Sequence, residues 1–102
     1  MEGGFHIITI LAILKAQPGK EAELAQVCAQ LSKVVRTKEE GNSMYLAHVT
    51  TRDPSEIVLI EKYTSEQALA DHRHSAHYKE AGAKFKMLLA TPPVIKVLNE
   101  LD

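Results

Sequence analysis

Two stretches of this 102-residue sequence are apolar at odd and even positions alike, and nothing else in it restricts the fold as strongly. In residues 5–14, Phe5, Ile7, Leu11 and Ile13 share one side of an extended segment, while Ile8, Ile10, Ala12 and Leu14 share the other. Residues 57–60 repeat the arrangement, with Ile57 and Leu59 facing away from Val58 and Ile60. The crowding of β-branched side chains marks both as strands. A strand that is apolar on both faces has to be covered on both.

The order of the other elements says what covers the first face. Gln17-Pro18-Gly19 stops the first strand, and from Lys20 the apolar period lengthens. Leu24, Val27, Cys28, Leu31, Val34 and Val35 recur at three- and four-residue spacing, which predicts a helix ending near Thr37. Glu39-Glu40-Gly41-Asn42 forms the turn out of it. Tyr45 to Thr51 and Ile57 to Tyr63 then make a hairpin about the turn Arg52-Asp53-Pro54-Ser55. Thr64 or Ser65 caps a short helix with Ala68 and Leu69 inward, and a longer helix runs from Ala76 to Leu89. Thr91-Pro92-Pro93 ends that helix, and Val94 to Leu98 supplies a fourth strand. The sum is an α+β fold of the ferredoxin-like β-α-β-β-α-β type, an antiparallel sheet with its helices on one face. No stretch is left to lie across the second face, so a second copy of the sheet is the expected cover and the chain is expected to be a homodimer.

Length and charge narrow the function. The 102 residues read as a single domain that buries a core without metal or disulfide staples. Twelve basic and thirteen acidic residues are interspersed, with no basic run to follow a phosphate backbone, so nucleic acid is not an expected partner. The apolar runs Leu11 to Leu14 and Ile57 to Ile60 are too short to span a membrane, and no export signal is read at the N-terminus. A cytoplasmic location is expected, in keeping with a single cysteine, Cys28, which reads as an inert core thiol.

Few residues invite chemistry. His72, His74 and His77 lie close together, but on one continuous helix His72 and His74 point apart and only His74 and His77 are neighbours. No ligand motif accompanies them, so no metal is expected. His74 reads as solvated and His77 as a rim residue. His72 sits where the short helix breaks and is read as a pocket residue. Glu61 shares a strand face with Ile57, Leu59 and Tyr63, where an acid needs a partner or a ligand. It is either a structural hydrogen-bonding group or an acid-base group. Tyr45 is either a core aromatic or a hydroxyl aimed into a cavity, His48 is a surface residue on the opposite face, and Asn42 is turn chemistry. There is no phosphate-binding glycine loop, nucleophile elbow or Cys-His pair.

Glu40-Gly41-Asn42 followed by Tyr45, then Ile57-Val58-Leu59-Ile60-Glu61-Lys62-Tyr63, then Ala68-Leu69-x-x-His72-x-x-Ser75-x-His77, resembles the antibiotic biosynthesis monooxygenase domain in residue order and spacing. The resemblance runs from the first strand through Val94. It implies a dimeric α/β barrel in which two ferredoxin-like sheets pack face to face. It also implies a cofactor-independent monooxygenase that oxidises a small aromatic, quinol- or anthrone-like substrate with O₂, using no metal, flavin or haem. By the same resemblance His72 is the catalytic base or proton shuttle. Tyr45, Glu61 and Tyr63 line a pocket between sheet and helices opening near His72, with His77 and Asn42 as further substrate contacts.

Two departures bear on that reading. Lys62-Tyr63 follows the strand-three Glu where the family usually has Trp, and the chain has no Trp at all. The first strand has no Asn and Gly82 stands in the last helix, which argues against the related haem-degrading activity. The same fold hosts other chemistry. A non-catalytic small-ligand-binding dimer, and an isomerase or lyase of a small carbonyl compound using His72 with Glu61, are the alternatives.

Overall fold

A computed structural model describes residues 7–101. Phe5, placed above at the start of the first strand, lies outside the described residues. The elements run β1 (Ile8–Lys15), α1 (Glu21–Lys38), β2 (Asn42–Thr50), β3 (Asp53–Tyr63), α2 (Glu66–His74), α3 (Ala76–Leu88) and β4 (Val94–Asn99). The four strands form one antiparallel sheet in the order β2-β3-β1-β4. This is the α+β, ferredoxin-like arrangement that the element order predicts, with the second helical segment in two pieces.

The inner face of the sheet carries the core. Ile10, Ala12 and Leu14 of β1, Tyr45 of β2 and Ile57, Leu59 and Tyr63 of β3 are all buried. Against them α1 sets Leu24, Cys28, Leu31 and Val35, spaced four, three and four residues apart so that one helix stripe faces the strands. Burial pushes the Cys28 thiol up to about 12, so it stays protonated and acts as a small apolar group. One polar link is buried among them: Ser32 Oγ donates to the Tyr45 carbonyl at 2.7 Å, and Arg36 donates to the same oxygen at 2.9 Å. That pair fixes α1 over β2.

The hairpin turn differs from expectation. Thr51 and Arg52 make the turn, and Asp53, Pro54 and Ser55 already belong to β3. The Asp53 carboxylate accepts from both the backbone N–H and the hydroxyl of Ser55, at 3.1 and 2.6 Å, and it pairs with Lys15 of β1. A turn-like sequence is thereby held in a strand end, where Pro54 needs no donor. At the other end of the hairpin, β2 begins at Asn42, opposite Tyr63, earlier than Tyr45.

The break between α2 and α3 is built by one residue. Ser75 closes α2 by donating its N–H and its hydroxyl to the His72 carbonyl, and its hydroxyl then accepts from the Tyr78 N–H to open α3. Ser65 caps the start of α2 by accepting from the Ala68 N–H at 3.0 Å.

The outer face carries Leu11 and Ile13 of β1, Val58 and Ile60 of β3, Leu46 of β2, and Val94 and Leu98 of β4, none fully buried. The apolar second face read from the sequence is therefore real within the chain.

Two glycines give opposite predictions. A Cβ on Gly41 would stand 2.4 Å from Ala68 Cβ, where neither group can rotate away. Gly41→Ala should destabilise the protein by about 1–3 kcal/mol through overpacking. A Cβ on Gly82 meets nothing within 4 Å, so Gly82→Ala should stabilise by roughly 0.5–1 kcal/mol through helix propensity. Urea denaturation checks both signs.

Candidate functional site

Sheet register places the polar groups. Tyr45 on β2 pairs with Glu61 on β3, which pairs with Ile10 on β1, so an aromatic and a carboxylate sit side by side on the inner face. In the next inner row Ala47, Leu59, Ala12 and Ile95 follow one another across the four strands. Ala12 is too small to reach the helices. A cavity of about 550 Å³ opens above it, walled mainly by apolar groups. Its floor includes Ala12, Leu14, Leu59, Tyr45 and Glu61, and α3 with the segment after it supplies Tyr78, Gly82, Phe85 and Leu89.

Glu61 is 6% exposed and its Oε1 accepts from the Tyr63 hydroxyl at 2.7 Å. Burial pushes its carboxyl up to about 7, partly opposed by that hydrogen bond and reinforced by the charge of Glu39. Burial likewise drives the Tyr45 and Tyr63 hydroxyls well above the ordinary phenol range, so both remain protonated donors. The site is thus an apolar chamber holding a carboxyl that titrates near neutrality. Such a group removes a proton from a weakly acidic substrate and returns it within one cycle.

The residues singled out from the sequence divide between two places. Tyr45 and Glu61 line the apolar cavity, and Tyr63 stands behind Glu61 as its hydrogen-bond donor. His72 lines neither this cavity nor the polar one described next, and is only 2% exposed. Its ring packs against Tyr45, Tyr63 and Tyr78 at centroid distances of 5.7, 5.2 and 4.9 Å. Burial lowers its pKa against the opposing pull of Glu39, which favours the neutral imidazole. The pocket opening expected near His72 is therefore sealed there by aromatic rings. Asn42 is committed to the strand edge, donating to the carbonyls of Met44 and Lys62 at 2.9 and 3.2 Å.

His77 belongs to a second, polar cavity with Glu39, Asp71 and Ser75 in its lining. There Glu39 Oε2 receives both His72 Nδ1, at 2.8 Å, and His77 Nε2, at 2.5 Å. On one continuous helix His77 neighbours His74, and His72 points away from His74. The break at Ser75 removes that continuous helix, and His72 and His77 converge on one carboxylate. His74 instead lies exposed, with its ring on the Ala70 carbonyl. His48 is also exposed, on the outer side of the sheet from Tyr45.

Two residues were missed from the sequence. Glu39 sits in a turn-like sequence, and no local signal distinguishes it. Tyr78 had a signal: Tyr78, Gly82, Phe85 and Leu89 follow at intervals of four, three and four, one stripe of a helix.

Glu61 gives a pH prediction. The folded protein holds its proton up to about pH 7, whereas the unfolded chain releases it near 4.5. Between those values the unfolded state binds fewer protons, so this group's contribution is complete below pH 4.5 and is lost as pH rises through 7. The loss is about 3 kcal/mol. His72, with its lowered pKa, acts in the other direction, gaining stability as pH rises towards 6.5. That term is common to wild type and Glu61→Gln. Urea titrations of both proteins across this range should show their difference moving in favour of Glu61→Gln as pH rises, and a constant difference would contradict the assignment.

Comparison with known proteins agrees with this architecture. Residues 7–84 match the family described as antibiotic biosynthesis monooxygenase. YcnE of Bacillus subtilis, provisionally named a monooxygenase, is 31% identical over 86 residues, covering 84% of this chain and 90% of its own. Rv0793 of Mycobacterium tuberculosis, named in the same way, is 30% identical over 93 residues, covering 91% and 92%. The structure of Rv0793 superposes with a TM-score of 0.87 over 94% of this chain and 96% of its own. A Caulobacter crescentus structure assigned provisionally to antibiotic biosynthesis monooxygenases gives 0.89 at 31% identity, over 96% and 92%. With the match spanning both the inner-face strands and the α2–α3 break, the chain belongs to the antibiotic biosynthesis monooxygenase family.

Proposed function

We propose that this protein is a cofactor-independent monooxygenase, working as a homodimer in the cytoplasm, that oxidises a small aromatic, quinol- or anthrone-like substrate with O₂. The observation that carries the reading is the Glu61 carboxyl on the floor of an apolar cavity, backed by Tyr63. Family membership supports the reaction class.

The chemistry follows from the groups present. Ala12 and Leu59 on the sheet and Tyr78 and Phe85 on α3 offer apolar walls to a planar, electron-rich ring. For an anthrone-like CH₂, the Glu61 carboxylate takes one proton and leaves a delocalised carbanion. Tyr45, a protonated donor at the cavity wall, stabilises the developing oxyanion. The carbanion transfers its electrons to O₂ and a C–O bond forms, giving a peroxide anion. The proton returned from Glu61 yields the hydroperoxide, which loses water to leave a carbonyl. All four electrons reducing O₂ come from the substrate. His72 was the base inferred from the resemblance. From its position behind Tyr45 and Tyr63 it acts in this scheme as a positioning residue, and Glu61 is the base.

Oxygen uptake with a panel of anthrones and hydroquinones tests the reaction. We expect turnover that rises with pH through about 7 as Glu61 loses its proton. In Glu61→Gln, kcat should fall on the order of 10²–10⁴-fold. Equal uptake by wild type and Glu61→Gln would refute the assignment. Substrate conversion without oxygen would favour an isomerase or lyase, and a retained ligand without turnover would favour a binding protein.

The homodimer rests on the uncovered outer face and on family proteins being typically dimers. Ile60 sits centrally there, between Leu46 on one side and Leu11 on the other. Sedimentation equilibrium should give a dimer for wild type and a monomer for Ile60→Lys, since an unpaired charge in an apolar interface is strongly disfavoured. A monomeric wild type would rule the pairing out.

A further inference from the structure

We propose that Glu39, His72 and His77 form a binding site for a late first-row divalent transition-metal ion, with Zn²⁺ as its representative, separate from the apolar cavity. No proton or electron transfer of the proposed oxidation passes through the site, which shares with that scheme only His72, a positioning residue. Its three ligands come from three elements: Glu39 caps the C-terminal end of α1, His72 lies in the last turn of α2 and His77 in the first turn of α3. One nitrogen from each ring and a carboxylate oxygen all lie within 4.8 Å of one another.

The hydrogen bonding within the cluster is lopsided. Both imidazoles are directed at Glu39 Oε2, at 2.8 and 2.5 Å, while Glu39 Oε1 is buried with no partner among the described residues. Native structures seldom leave a buried carboxylate oxygen unsatisfied. A cation between the three groups resolves this, because it draws on the lone pairs of the carboxylate and of both imidazoles together. Zn²⁺ with ligands at about 2.0–2.2 Å sets neighbouring ligand atoms about 3.3 Å apart in a tetrahedron. From the observed 2.8 and 2.5 Å, the two carboxylate–imidazole separations widen by less than about 1 Å, and the two ring nitrogens, which lie within 4.8 Å of each other, close towards the same spacing by rotation of the imidazoles.

The donor set selects the class of ion. Two imidazoles with one carboxylate and no thiolate suit Zn²⁺, Ni²⁺ and Cu²⁺, whereas Mg²⁺ and Ca²⁺ favour oxygen-only shells. Entry is from the polar cavity of about 550 Å³, in whose wall Glu39 and His77 stand beside Asp71 and Ser75. That cavity also admits water to complete the coordination. An ion here joins the end of α1 to the α2–α3 break. It also fixes the His72 ring, against which Tyr45 and Tyr63 pack.

Chelator-treated full-length protein should bind Zn²⁺ in calorimetry with one ion per chain, with no comparable response to Mg²⁺. Co²⁺ should give visible d–d bands that saturate at one equivalent and are discharged by Zn²⁺. Glu39→Gln and His77→Gln should each weaken Zn²⁺ binding at least about tenfold. His74→Ala, on the exposed side of α2, should leave it unchanged. Wild type that gives neither stoichiometric Zn²⁺ binding nor Co²⁺ bands overturns the site, a result that needs no variant to fold. Unchanged affinity in His77→Gln, or loss in His74→Ala, overturns the assignment of its ligands.

Discussion

Placing Glu61 on the inner face of β3 sets the terms for everything around it. A carboxylate taken from water into apolar surroundings is destabilised by several kcal/mol unless it is partnered or stays protonated. Here both remedies are in use: the Tyr63 hydroxyl donates to it, and burial raises its pKa to about 7. Tyr63 is held in turn by the His72 ring, which also packs on Tyr45, the cross-strand neighbour of Glu61. The aromatic layer therefore has two sides. Facing the sheet it supports a carboxyl poised near neutrality. Facing the polar cavity it presents His72 to Glu39.

The fold explains why these two places lie back to back. A ferredoxin-like sheet lays its helices across one face, and the cavity exists where Ala12 leaves a gap beneath α3. The α2–α3 break at Ser75 turns the chain so that His72 points inward while His77 comes round to meet it at Glu39. The opposite face keeps an apolar surface of Leu11, Ile13, Val58 and Ile60. The cavity groups and the apolar outer surface thus lie on different sides of the same strands.

Much of the architecture was readable because period-two and period-3.6 patterns are strong here. The two-faced strands, the α1 stripe and the pairing of Glu61 with Tyr63 on one face all followed from spacing. What spacing could not supply was contact between distant segments. Glu39 precedes His72 by thirty-three positions and meets it only through the packing of α1 against the helical break. Arg52-Asp53-Pro54-Ser55 reads as a turn, yet Asp53 satisfies Ser55 inside a strand end and the turn closes two residues earlier. Its place at the break singles out His72 in the sequence, but its exclusion from both cavities depends on three tyrosine rings. Two of those tyrosines lie on strands and one on α3.

The proposed chemistry depends on Glu61 exchanging its proton at physiological pH. That exchange is most directly tested by following the ¹³C shift of the Glu61 side-chain carboxyl by NMR as pH is raised from 3 to 9. A single inflection close to pH 7, well above that of an ordinary glutamate, is expected. An inflection at about 4–5 would show a solvated or fully compensated carboxylate and would contradict the proposed role of Glu61 as base.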